Sequence, residues 1–278
     1  MSNRNNQQNK QAARERLRAE RERQARKAKV RRQLLVAGSV VVALALAGGI
    51  GYAVSQSGGG GSKKSSFDWA AAKGKPVVKP AHTSGENGTE VVVGDPNAKE
   101  TLTVYEDPRC PACEMFENGA GPQLQQDVKD GRYKVRYILA NFIDNPAGGT
   151  GSKNAVNALG AALNVSPEAF TAYKEKLYAK GNHPDERDDA FADDKRLLEI
   201  ADQVPALKGN KDFEKNVTEH TYASWALKLG ELFGKNGVTS TPTLLHGDKK
   251  LVFEGSPNPP MTKEQYTAVI DKEFGPKK

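Results

Sequence analysis

Thr101-Leu102-Thr103-Val104-Tyr105-Glu106-Asp107-Pro108-Arg109-Cys110-Pro111-Ala112-Cys113-Glu114-Met115-Phe116 decides how the chain is read. The first five residues have the β-branched and aromatic character of a strand. Those after Cys113 suit a helix running through Met115 and Phe116. Between the two lie the only two cysteines of the 278 residues, three positions apart. One C-x-x-C closes too small a loop to staple a fold. Half a zinc site would need further ligands, and His82, His183, His220 and His246 are not at ligand spacing, so no metal and no other cofactor is expected. The remaining use is redox chemistry. A cysteine at a helix N-terminus meets unpaired backbone N–H groups and the positive end of the helix dipole, which favour the thiolate. Cys110 is expected to be that nucleophile, with Arg109 adding a nearby positive charge and Pro111 fitting the first turn, followed by Ala112. Cys113, one turn on and more buried, is expected to resolve the mixed disulfide.

Outward from the motif, Glu90-Val91-Val92-Val93 forms a strand before it and Tyr133-Lys134-Val135-Arg136-Tyr137-Ile138-Leu139 a central strand after it. A helix from Cys113 is expected to kink at Gly119-Ala120-Gly121-Pro122 and resume. Residues 148–237 read as a helical insertion. It includes a segment starting at the Ser166-Pro167 cap, one over Asp189 to Val204, and a long last helix carrying Phe213, Val217, Trp225, Leu229 and Phe233. Thr243-Leu244-Leu245 and Lys250 to Gly255 read as a closing hairpin, and Thr262-Lys263-Glu264-Gln265 as a capping box for the final helix. Without the insertion the order is β-β-α-β, then β-β-α. The expected fold class is α/β, thioredoxin-like with an inserted helical domain, preceded by a single transmembrane helix.

The net charge of +7 is unevenly placed. Residues 1–32 hold twelve of the 41 Lys/Arg and three of the 34 Asp/Glu, which leaves 29 and 31 for the rest. The arm has no aromatic residues to suit nucleic acid, and no nucleic-acid partner is expected. Leu34 to Val54 is 21 residues without a charge, long enough to span a bilayer, and Arg31-Arg32 before it favour a cytoplasmic N-terminus. A cleaved signal peptide is the alternative. The organisation expected is a basic cytoplasmic tail (1–33), a transmembrane helix (34–54), a flexible Gly/Ser-rich linker (55–87) and an extracytoplasmic redox domain (88–275).

Cys110-Pro111-Ala112-Cys113 with Phe116, the helical insertion, and Ser240-Thr241-Pro242-Thr243-Leu244 before the last hairpin resemble the bacterial DsbA-like thiol–disulfide oxidoreductases, specifically membrane-tethered, extracytoplasmic members. The resemblance covers about residues 88–275. It implies that Pro242 is cis and faces the cysteines, and that Thr241 offers backbone hydrogen bonds to an extended substrate and tunes the redox pair. It also implies thiol-bearing exported proteins as partners and a separate membrane protein as reoxidant. The chain departs from the family in one place. Many relatives carry a buried carboxylate six residues before the first cysteine, where this chain has Val104; Glu106 and Asp107 are nearer, but strand alternation and the turn can aim them elsewhere, so a proton acceptor for Cys113 is not assigned. Three functions stay open: an oxidase that introduces disulfides, a reductase or isomerase of the cell envelope, and a non-catalytic tethered peptide-binding module.

Overall fold

The structure is a computed structural model that describes residues 67–85 and 88–277. The elements in order are α1 (Trp69–Ala72), β1 (Thr83–Ser84), β2 (Glu90–Val93), β3 (Thr101–Glu106), α2 (Pro111–Gly119), α3 (Gly121–Lys129), β4 (Lys134–Leu139), α4 (Gly151–Val165), α5 (Pro167–Tyr178), α6 (Asp194–Ala201), α7 (Lys211–Thr218), α8 (Ala223–Phe233), β5 (Thr243–His246), β6 (Lys249–Lys250) and α9 (Lys263–Phe274). One six-stranded sheet runs β1-β2-β4-β3-β5-β6. β3 and β4 pair in parallel, as a strand–helix–strand crossover requires, and every other pair is antiparallel. Leu102, Val104, Val135, Tyr137 and Leu139 of this central pair share one face of the sheet and lie in the main core, while Tyr105 and Ile138 on the other face join a second, smaller cluster.

Helices α4 to α8 occupy the stretch between β4 and β5. α4 is their hub: twelve of its fifteen residues are buried, so its Gly- and Ala-rich sequence packs all round rather than on one face. A Cβ on Gly160 would stand 3.0 Å from the Trp225 ring and 3.1 Å from Pro80, so a side chain there would crowd the close approach of α8. The expected long last helix is two. The chain breaks at His220, whose φ is +51°, and Asn157 of α4 accepts from the Tyr222 amide at 2.9 Å across the break. The expected segment over Asp189 to Val204 contracts to a 3₁₀ turn (Ala190–Ala192) and α6, which Asp193 caps. The closing hairpin is shorter than expected. Leu251 still donates to the Leu244 carbonyl at 2.9 Å, but Phe253 then bonds back to Asn258 in a proline-rich turn.

Residues from Phe67 onward already pack on the helices, ahead of the position 88 at which the redox domain was expected to start. Trp69 is buried, Phe67 stacks on His220 at 4.1 Å, and Ala81 donates to Asn164 of α4. Thr83–Ser84 then adds an edge strand to β2. Among the described residues no helix is long and apolar enough to cross a membrane. The expected tail, span and Gly/Ser-rich stretch (1–66) lie outside the described residues.

Candidate active site

β3 ends at Glu106, and Asp107-Pro108-Arg109 turns the chain so that Cys110 becomes the N-cap of α2. Cys110 has extended backbone (φ −75°, ψ 118°), its carbonyl accepts the first helical bond from the Glu114 amide at 3.0 Å, and Pro111 follows in the first turn. The turn is held by a buried carboxylate. Asp107 accepts from the Arg109 amide (3.0 Å), the Ile143 amide (3.0 Å) and the Ser152 hydroxyl (2.7 Å), tying it to the end of β4 and the start of α4. Burial outweighs these bonds and pushes the Asp107 carboxyl up to about 7.

Cys110 is 6% exposed and Cys113 fully buried, and both are free thiols. The peptide bond between Thr241 and Pro242 is cis, as the resemblance implied. Cys110 Sγ donates to the Thr241 carbonyl at 3.5 Å, across 131 residues of chain. That meeting follows from register: Tyr105 pairs with Thr243 and Val104 with Leu244, so β5 delivers the Thr241-Pro242 loop beside the end of β3. The thiols are driven apart in acidity. A hydrogen bond from Cys113 does most to lower Cys110 to about 6. Burial opposes this, while the Thr241 side chain and the Cys113 and Ala112 backbone amides assist it. Cys113 is pushed well above the ordinary thiol value by burial first, then by Cys110 and the charge of Glu106.

Arg109 stands elsewhere than its sequence position suggests. Its guanidinium is fully buried and turned toward Asp144 (2.9 Å), Asp189 (3.1 Å) and the carbonyls of Gly148 (2.9 Å) and Glu186 (2.7 Å). It pins the long loop before α6 to the active-site turn, and its charge is neutralised by two carboxylates. The acidity of Cys110 comes from Cys113, Thr241 and backbone amides.

Val104 is an apolar core residue, as its sequence predicts, but a buried carboxylate is present two residues later. Glu106 is fully buried, with Lys174 of α5 at 3.2 Å, and Lys174 also meets Glu117 of α2 at 2.7 Å. Burial and then repulsion from Glu117 raise Glu106 well above the carboxylate range, with Lys174 opposing them. For Glu117 burial also acts upward, but Lys174 and a bond with Glu106 prevail and lower it. The two carboxyls are thus driven apart in acidity, Glu106 being the weaker acid of the two. Sequence reasoning weighed Glu106 without assigning it and missed Glu117 and Lys174. Glu117 carried a usable signal, since it lies four residues after Cys113 and so on the same helix face. Lys174, 68 residues from Glu106, carried none. Among the described residues no group of three or more His, Cys, Asp and Glu side chains is placed to hold a metal ion.

Met115, 59% exposed, presents an apolar side chain two residues past Cys113. Phe142 packs against both the cysteine cluster and Phe233, on which it stacks at 5.1 Å.

Comparison with known proteins places these features in a family. The family model described as thioredoxin matches residues 86–272. Disulfide bond formation protein D of Bacillus subtilis is 26% identical over 179 residues, covering 64% of this chain and 73% of that protein. The oxidised DsbA of Mycobacterium tuberculosis superposes with a TM-score of 0.53 at 25% identity, over 67% of this chain and 92% of that one. The reduced disulfide bond oxidoreductase DsbG of the same organism gives a TM-score of 0.53 at 26% identity, over 70% and 86%.

Proposed function

The chain belongs to the thioredoxin family, and from that premise we propose that it is a DsbA-like thiol–disulfide oxidoreductase acting outside the cytoplasm, as an oxidase that introduces disulfide bonds into exported proteins. The observation that carries the reading is the split between the two thiols: Cys110 lowered to about 6 at a helix N-terminus facing Thr241-Pro242, and Cys113 buried and raised. A pair whose reduced form is stabilised as a thiolate gives up its disulfide readily and so acts as an oxidant.

In the oxidised enzyme a substrate thiolate attacks Cys110 Sγ. The Cys110–Cys113 bond breaks, and Cys113 leaves as a thiolate that takes a proton. A second substrate thiolate then attacks the substrate sulfur of the mixed disulfide and releases Cys110 as a thiolate. Two electrons pass from the substrate dithiol to the enzyme, which a membrane-bound redox partner would have to remove. The Thr241 carbonyl lies beside Cys110 and is placed to accept a backbone N–H from an extended substrate. The location rests on the apolar run 34–54 and the arginines before it.

Replacing Cys113 by Ser in the full-length chain removes the resolving thiol. Substrates are then expected to accumulate as mixed disulfides on Cys110, separable on non-reducing gels. Cells that yield no such adducts would point to a non-catalytic peptide-binding module.

A further inference from the structure

The loop that carries Thr241-Pro242 to Cys110 starts from an Asn-Gly pair. Such pairs stand at 87–88, 118–119 and 236–237, and Asn87 lies outside the described residues. Asparagine is a thermolabile residue. With glycine after it, the glycine backbone nitrogen can close on the asparagine side-chain carbonyl, since no Cβ blocks the approach and the backbone turns freely. Whether the ring closes depends on how the fold holds the two groups.

Asn118-Gly119 is held at both. It ends α2, where helical hydrogen bonding fixes the backbone. The Asn118 side-chain amide donates to the Glu114 carbonyl at 2.8 Å and to the Tyr178 carbonyl at 2.7 Å. A Cβ on Gly119 would stand 2.1 Å from the Met261 carbonyl oxygen, so the chain there is tightly packed. Asn236-Gly237 is the opposite case. Both residues are exposed, beyond the end of α8. The Asn236 amide still donates to the Leu232 carbonyl at 3.1 Å, but among the described residues the Gly237 amide donates to nothing. Gly237 has a φ of +71° and open space where a Cβ would be. The Asn236 side chain faces the Tyr105 hydroxyl, at the rim of the cluster formed by Tyr105, Phe233 and Val238.

Thr241 follows five residues after Asn236. Between them Val238 packs on the Tyr105–Phe233 cluster, and the Ser240 carbonyl accepts from the Thr243 hydroxyl at 2.8 Å, whereas Thr239 and Ser240 are exposed. A change of backbone length at 236 therefore meets few contacts before it reaches Thr241.

We infer that Asn236-Gly237 is a self-modifying site that shifts the Thr241-Pro242 loop. The Gly237 nitrogen bonds to the Asn236 side-chain carbonyl carbon, and ammonia leaves with the proton that nitrogen carried. Water then opens the cyclic imide at either carbonyl, giving aspartate or isoaspartate. One water is consumed and one ammonia released, and no electrons are transferred. In the isoaspartyl form the main chain runs through the former side chain, so the loop gains one carbon and a free carboxylate. That displaces the Thr241 carbonyl from its 3.5 Å contact with Cys110 Sγ. The effect on the thiols rests on the oxidoreductase reading above; the modification itself does not.

The test is to age the reduced full-length chain at body temperature in mildly alkaline buffer. Peptide mass mapping and labelling by an isoaspartyl methyltransferase then locate the product, and single-turnover oxidation of a dithiol peptide reads its effect. Asn236 is expected to convert while Asn118 stays an amide, and in denaturant the two are expected to convert alike. Exchange is expected to slow severalfold in step with isoaspartate at 236. Fresh Asn236→Asp, which adds the charge without the extra carbon, and aged Asn236→Gln are expected to keep the rate. An Asn236 that stays intact in the folded chain, or converts no faster than Asn118, overturns the site. Aged protein rich in isoaspartate at 236 that exchanges at the fresh rate overturns the effect on the loop, as does an equal loss in aged Asn236→Gln. A fresh wild type with no exchange activity overturns the oxidoreductase reading itself.

Discussion

Cys110 and Cys113 are one helical turn apart, and their difference comes from the donors that reach Cys110 and from the complete burial of Cys113. Cys110 collects the Cys113 hydrogen bond, the Thr241 side chain and two backbone amides, and titrates near 6. An unfolded thiol titrates near 8.5. The folded value is the lower one, so this group's contribution to the stability of the reduced protein is fully present above about pH 8.5 and is lost as pH falls through 6. Thiolate absorbance of the reduced chain should therefore show a midpoint near 6, and Cys113→Ala, which removes the largest of the lowering contacts, should move it upward. Arg109→Lys gives the opposite pattern. A lysine cannot reproduce contacts to two carboxylates and two carbonyls, so denaturant unfolding should register a loss of about 3 kcal/mol, as for a broken buried pair, while the Cys110 midpoint stays in place. Here the sequence was legible only in part. The cysteines, Pro111 and the Thr241-Pro242 pair were readable because their chemistry depends on local spacing and order. That the Arg109 guanidinium reaches Asp144 and Asp189 was not legible, because adjacency in sequence does not say where a long side chain points.

At the scale of elements, α5 does more than fill the helical lobe. Through Lys174 it is bonded to β3 at Glu106 and to α2 at Glu117, so one cation joins three elements beneath the thiols. Lys174→Met leaves two carboxyls buried without their cation. The expected loss is about 3–5 kcal/mol by denaturant unfolding, largest at alkaline pH, where both carboxyls are driven to ionise. The N-terminal strap is a second device. Phe67, Trp69 and His220 form an aromatic cluster at the break between α7 and α8, with Lys153 of α4 over the Trp69 ring at 5.9 Å. Trp69→Ala should free residues 73–80 to limited proteolysis without shifting the Cys110 titration. The first device could not be read from sequence, because Lys174 and Glu106 meet only through the fold, whereas Phe67 and Trp69 stand out as aromatic residues in a segment that otherwise lacks the periodicity of a packed element. The same limit produced the overlong last helix, since apolar spacing runs on past His220 while the backbone there turns into the left-handed region.

At the scale of the molecule, the order of the inner strands and helices was legible because β2, β3 and β4 are short runs rich in β-branched residues, and the motif fixes which helix follows β3. Register was not. The approach of Thr241 to Cys110 depends on Tyr105 pairing with Thr243, and a slip by one residue would turn the loop away. A redox pair held at a helix N-terminus and stabilised in its reduced form is the physical basis of the proposed oxidase activity. The most direct measurement is the reduction potential of the Cys110/Cys113 couple in the full-length chain, by equilibration with glutathione buffers. An oxidase of this kind should give a value well above the roughly −270 mV of thioredoxin. A value at or below that level would contradict the proposal and assign the chain to reductive chemistry instead.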